Sequence, residues 1–362
     1  MSLPPTTGPA APAQISTHVP ALDGARGLAV LMVLLDHASD ARLYLFAGAD
    51  LNRAGKYGVY LFFVLSAFLL TLPFCAGRAP TDLRSWLNYG LRRFLRIYPL
   101  YVVVLLAMIP MHKVKLADLS AHLLLRDGKN QFWSIPVEVK YYFLLPFVGL
   151  TLLFLRRQRW GRALAAALGA VGLGAAIFRG EQSWSLNETV LLSKNFPPFL
   201  IGSLAALAYA GLRARPAATR RFAVLFEAAA IMALGVIIIR IPPVHTAMFG
   251  SVVKKFSYDP AVCGVLWSVF IIGTLSGIGL LRGALAAAPL RYLGLISFSV
   301  YLWHRKFLSD VDNMPIPMQL RLVLFILVVC AAASVTYFLV ERPLSRIRLR
   351  AWDAAPAPVP VV

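Results

Sequence analysis

Long apolar runs recur along the chain, each divided from the next by a short segment that carries arginine, lysine or proline. At the roughly 17–25 residues needed to cross hydrocarbon, they predict ten spans, at about 22–41, 58–76, 97–112, 136–155, 163–178, 196–211, 222–240, 261–281, 292–308 and 318–340. The expected fold is therefore all-α and polytopic, with about ten transmembrane helices. One segment between runs has a different rhythm. Residues 81–96 place Leu83, Trp86, Leu87, Leu91, Phe94 and Leu95 at helical spacing among arginines, after a Thr at the helix start. That pattern predicts a helix lying in the membrane interface and rolling into the span that begins at Ile97.

The two ends do not share this pattern. Residues 1–20 are rich in Pro, Ala and Thr and hold no Lys or Arg, so they lack the basic start of a signal peptide and read as a disordered tail. Residues 346–362 read as a basic and then Pro-rich tail, which leaves residues 21–345 as a ten-helix membrane domain.

Composition sharpens the class. Hydrophobic residues make up 59% of the 362, charged residues only 14%, and the mean hydropathy is +0.70, too apolar for a water-soluble fold. Placing alternate loops in the cytoplasm assigns nineteen Lys or Arg to that side against three acids, and fifteen Lys or Arg to the other side against nine acids. Both termini are then cytoplasmic. The net charge of +20 needs no nucleic acid, because most of it flanks membrane segments near anionic headgroups. Cys75, Cys263 and Cys330 lie in or beside apolar runs without metal-ligand spacing, so they read as packing residues and no metal site is expected.

Within this greasy background a few polar groups are conspicuous. Arg26 and His37 are eleven residues apart in one apolar run, which brings them within roughly 20° of the same helix face and about 16 Å apart in depth. Ionisable groups at such depth survive mainly where they line a cavity or a path. Arg93 and Arg96, three apart, could together hold a phosphate, or simply flank a membrane span. Glu138 and Lys140 enter a span just after Trp133 and Pro136, with Tyr142 following. They are two residues apart and do not face each other, so each needs another partner: a structural salt bridge to a second helix, or, for Glu138, an approach to His37. Asp40 lies about one turn beyond His37 and could orient its ring, whereas Asp36 points about 100° elsewhere. Ser66 reads as a packing residue that bonds its own preceding turn, and Tyr301 with His304 reads as part of an interfacial aromatic belt.

The segments Leu22-Asp-Gly-Ala-Arg-Gly-Leu28 with His37, Phe62-Phe-Val-Leu-Ser-Ala-Phe68, Arg92-Arg-Phe-Leu-Arg-Ile-Tyr-Pro99, Trp133-Ser-Ile-Pro-Val-Glu138, Ser297-Phe-Ser-Val-Tyr-Leu-Trp-His304 and Glu341-Arg-Pro-Leu344 follow one another in order. Together they resemble the signature blocks of acyltransferase family 3. This is the ten-span bacterial group of integral-membrane O-acyltransferases that decorate O-antigens, exopolysaccharides, peptidoglycan and some macrolides. The resemblance implies that Arg26 and His37 are the family's basic residue and histidine, that Arg93 and Arg96 are its donor-associated arginine pair, and that Glu138 is the acid of its Trp-Ser block. It implies acyl-CoA, acetyl-CoA above all, as co-substrate, no permanently bound cofactor, a carbohydrate or lipid-linked glycan as acceptor, and a bacterial inner-membrane location. Three departures stand out: Ala67 replaces the usual Gly, Pro136 interrupts the Trp-Ser block, and Arg305-Lys306 replace apolar residues after the Trp-His pair.

Acyl transfer to a hydroxyl needs a base, and a neutral imidazole titrating near about 6.5 suits that role at neutral pH. On this reading His37 and Glu138 are catalytic and Arg26, Arg93 and Arg96 bind the donor. Asp40, Ser66, Trp133, Tyr142, Tyr301 and His304 support them. Two other readings remain open at this stage: acylation of a macrolide-like metabolite, and a transporter or flippase whose polar residues line a permeation path.

Overall fold

The computed structural model describes residues 19–44, 50–76, 80, 82–157, 185–186, 188–250 and 259–347. The span expected at 163–178 and the outer parts of both tails lie outside them. All regular structure among the described residues is helical. The longer helices are α1 (Pro20–Asp40), α2 (Ala54–Cys75), α3 (Leu83–Met108), then, after the short α4 (Leu119–Leu123), α5 (Ser134–Arg157) and α6 (Leu192–Arg213). A short α7 (Pro216–Arg221) leads into α8 (Ala223–Ile239), α9 (Pro242–Phe249) and α10 (Pro260–Ser276). The chain closes with α11 (Leu280–Leu285), α12 (Ala288–Leu295), α13 (Ser297–Val311), α14 (Met318–Thr336), a π-helical turn Tyr337–Glu341 and α15 (Arg342–Ser345).

Four helical stretches are long and apolar enough to cross a membrane among the described residues: Ala54–Cys75, Asn130–Leu152, Glu188–Arg213 and Met318–Ser345. Ala223–Ile239 with Pro242–Phe249 makes a fifth if this pair, bent by 88°, is one broken span. The bend falls where Pro242 and Pro243 begin a new helix and remove two backbone donors. The last stretch is only 17% buried within the protein, and Leu320, Val323, Leu327 and Leu339 stand exposed along it. An unpartnered apolar surface of that length is at home in hydrocarbon and not in water.

Two expectations change in detail. The interfacial segment and the third span are one continuous helix, α3, and its N-cap is Asp82, whose carboxylate accepts the Ser85 N–H at 2.6 Å. Part of its apolar face stands open, with Leu83, Leu87 and Phe94 exposed, while Trp86 packs on Phe74. The run at 292–308 is divided between α12 and α13 at Ile296.

Helix α2 is central, packed against α1, α5, α6 and α10. Polar ties join it across the bundle: Trp267 Nε1 donates to the Tyr57 carbonyl at 2.9 Å, and Thr71 Oγ1 donates to Ser203 Oγ at 2.9 Å. On α1, a Cβ at Gly24 would meet the Leu285 carbonyl oxygen at 1.7 Å, and one at Gly27 the Leu290 carbonyl oxygen at 2.0 Å. Only glycine allows that approach, and it seats one side of α1 directly on α11 and α12.

Candidate active site

Three cavities follow one another along α1. The largest, about 830 Å³, lies at the end of α1 that carries His37 and is lined by Asp36, His37, Lys56, Trp133, Tyr301 and Arg305 among others. A second, of only about 60 Å³, is bordered by Arg26, Phe62, Ser66, Arg96, Glu138 and Phe298. The third, about 160 Å³, opens at the other end among Arg26, Arg92, Arg93, Arg96 and Glu341. Val59 and Tyr301 border both the first and the second, while Arg26 and Arg96 border both the second and the third. Polar groups on α1, α2, α3, α5, α6 and α13 and on the π-helical turn thus line one interrupted path along the bundle.

At the wide end the last turn of α1 is fixed by the segment that follows it. Asp36, which is buried, accepts the Arg53 N–H, Ser39 Oγ accepts the Leu51 N–H at 3.0 Å, and Asp40 accepts from the Asn52 side chain. His37 Nδ1 lies 3.3 Å from Asp40 Oδ2 and 3.9 Å from Asp36 Oδ2. With Nδ1–H donated to Asp40, Nε2 is the atom left to accept a proton. Asp36, His37 and Asp40 each offer a metal-ligand atom within 4.8 Å of one another, yet both carboxylates already accept protein hydrogen bonds.

His304 is the first surprise. It is not an interfacial anchor: it is fully buried, and its ring stacks on that of His37 with centroids 4.9 Å apart and planes 19° from parallel. Its Nδ1 lies 2.7 Å from the Tyr301 carbonyl oxygen, and its Nε2 has no hydrogen-bond partner among the described residues. The stack covers one face of the His37 ring, and His304 is not among the residues lining the wide cavity.

Glu138 is the second. It is not at His37. Its Oε1 accepts from Ser66 Oγ at 2.7 Å and from the Tyr142 hydroxyl at 2.5 Å, so Ser66 bonds across the bundle and not to its own turn. The carboxylate lies within electrostatic range of Arg26, Arg93 and Arg96. Arg93 also sits 5.8 Å over the Tyr142 ring. Lys140 does not pair with Glu138; its ammonium donates to Ser185 Oγ and to the Val190 carbonyl, each at 2.9 Å.

Trp133 stands edge-on to Phe63 at 6.1 Å, and the Tyr301 hydroxyl accepts from Ser134 Oγ at 2.9 Å; both aromatics line the wide cavity. Glu341 was not singled out as a site residue. It is buried, accepts from Ser299 Oγ at 3.2 Å and borders the arginine-lined cavity. Glu341 opens the last of the signature blocks, Glu341-Arg-Pro-Leu344, at the end of a long apolar run, and nothing in the sequence marked it as lining a cavity. The π-helical turn that ends at this residue has no sequence mark of its own.

The profile of the acyltransferase domain of acyltransferase family 3 matches residues 19–341. The relatives found include YrhL of Bacillus subtilis (strain 168), 24% identical with 90% of this chain and 55% of that protein aligned. They also include the peptidoglycan O-acetyltransferase OatA of Listeria monocytogenes, 23% identical with 91% and 56% aligned. A third is the O-acetyltransferase OatA of Staphylococcus aureus (strain NCTC 8325 / PS 47), 22% identical with 94% and 59% aligned. The chain spans little more than half the length of these relatives. No solved structure matches it. With six signature blocks in order, and a profile match that runs from the start of α1 to the end of the π-helical turn, the chain belongs to acyltransferase family 3.

Proposed function

We propose that this protein is a ten-span inner-membrane O-acyltransferase with both termini in the cytoplasm. It would move an acyl group, most simply acetyl, from cytoplasmic acyl-CoA to a hydroxyl of a carbohydrate or lipid-linked glycan on the other side. The observation that carries this reading is the row of cavities joining the arginine cluster to His37. Family membership and the O-acetyltransferase names of its relatives supply the reaction class.

Each residue then has a stated task. Arg93 and Arg96, with Arg92 beside them, hold the CoA phosphates through charge-assisted hydrogen bonds. Arg26, which borders the second and third cavities, guides the donor between them. The pantetheine arm has to cover about 16 Å to bring the thioester to His37. The middle cavity holds only a few waters at about 60 Å³, so its aromatic wall, Phe62, Phe63 and Phe298, must part for that arm. At the wide end His37 Nε2 removes the acceptor hydroxyl proton as the oxygen attacks the thioester carbonyl carbon. The C–S bond breaks and the CoA thiolate leaves, taking the proton back from the imidazolium. Asp40, at Nδ1, holds the tautomer that makes Nε2 the base.

The test is release of CoA thiol by the purified protein, supplied with acetyl-CoA and an oligosaccharide acceptor and compared with His37→Ala. The ring stacks on His304 but also lines the wide cavity, where water can take its place, so the variant should fold and lose about 10²–10⁴-fold in turnover. Wild-type turnover in His37→Ala at saturating donor and acceptor would refute the assignment.

A further inference from the structure

The wide cavity carries an unbalanced set of charges. Lys56, Lys129, Lys194 and Arg305 line it, with Asp36 and Glu188 as the only carboxylates among the described residues. Most of these groups are already engaged. Lys194 pairs with Glu188, Lys129 donates to Asp118 at 2.8 Å, and Asp36 accepts the Arg53 N–H. Lys56 lies 5.9 Å over the Tyr60 ring. Arg305 differs from all of them. It is exposed and makes no hydrogen bond or ion pair among the described residues, yet it is close enough to act electrostatically on His37 and Asp36. It shares the wide cavity with the proposed base, His37, whose ring stacks on the preceding residue, His304. Lys306, the next cation, is tied to Asp310 and is not available to a ligand.

An arginine without a carboxylate partner, facing a cavity large enough for a small-molecule ligand, offers a planar fork that fits a carboxylate or phosphate. We infer that Arg305 selects the acceptor: the compound acylated in the wide cavity carries an anionic group, carboxylate or phosphate, near the hydroxyl that faces His37. This deepens the proposed function and rests on it. The anion on Arg305 fixes the acceptor at one point, so that a neighbouring hydroxyl meets the base.

The test uses the full chain in lipid nanodiscs with acetyl-CoA and four acceptors. These are N-acetylglucosaminyl-N-acetylmuramic acid, its methyl ester, diacetylchitobiose and diacetylchitobiose 1-phosphate. Wild-type protein should prefer at least one anionic disaccharide over its neutral counterpart by about tenfold in kcat/KM, chiefly through KM, and the preference should shrink as salt rises. The acid and ester pair reads a carboxylate, and the chitobiose pair reads a phosphate. Arg305→Gln should bring the ratio close to one, and Arg305→Lys should keep part of it. Equal use of charged and neutral acceptors by the wild type would overturn the inference and leave the acyltransferase reading intact. So would an Arg305→Gln variant that slows all four acceptors alike, because Arg305 would then serve the fold or the lipid surface. Absence of transfer to any acceptor, with no thiol released, would overturn both readings.

Discussion

Replacing Glu138 by Gln takes one negative charge from among Arg26, Arg93 and Arg96 while keeping the shape of the side chain. The carboxylate accepts two hydrogen bonds, from Ser66 at 2.7 Å and Tyr142 at 2.5 Å. A hydrogen bond to a charged acceptor is worth about 1.5–3 kcal/mol and one to a neutral acceptor about 0.5–1.5 kcal/mol, so the two bonds together lose about 2 kcal/mol. The amide also presents a donor to one hydroxyl that must turn to accept it. Three guanidinium groups lose the acid that lies within their electrostatic range, which adds to the cost and loosens their placement. The expected result is a lower melting temperature in detergent and a rise in KM for acetyl-CoA on the order of tenfold or more, because about 1.4 kcal/mol corresponds to a factor of ten. The acidic limb of the turnover pH profile should stay in place, since the hydrogen bonds of Glu138 go to Ser66 and Tyr142 and not to His37. Steady-state kinetics from pH 5 to 9, together with a thermal melt, measure all three quantities. A variant with unchanged donor KM and a displaced acidic limb would show that Glu138 orients the base, and the separation of the two sites argued here would be wrong.

Three further predictions follow from the same geometry. Arg93→Gln combined with Arg96→Gln should weaken acetyl-CoA binding by about 10²-fold or more and flatten its salt dependence, while unchanged affinity in the folded protein would make them plain membrane-flanking charges. A topology reporter placed after Arg220 should read cytoplasm and one placed between Glu181 and Asn195 periplasm, and reversed signals would sink both the span count and the donor side. His304→Ala should slow turnover about 2–10-fold by freeing the His37 ring from its stack, whereas His304→Phe should keep most of it; equal losses would show that the imidazole nitrogens matter and the stack does not.

Much of the scaffold was legible from hydropathy alone. Helices α1, α2, α5, α6, α8, α10 and α14 fall on apolar runs read directly from the chain, because a span must satisfy its own backbone and match a fixed thickness, and both constraints act within one segment. The common face of Arg26 and His37 was equally local, since helical periodicity fixes it, and the structure places both along one row of cavities. What periodicity could not supply was the neighbour of each polar group. Ser66 meets Glu138 across 72 positions, His37 meets His304 from the opposite end of the chain, and Ser299 meets Glu341 through a π-helical turn that no residue pattern announces. Glu138 could have faced the base or the arginines with the same sequence around it. Packing decided in favour of the arginines, because α2 lies between α1 and α5 and offers Ser66 at the depth of that carboxylate. The chain's own pattern therefore determined which segments form long apolar helices and which groups are costly to bury. Only the tertiary structure decided which of those groups meet, because such contacts arise between segments whose order along the chain does not specify which become neighbours.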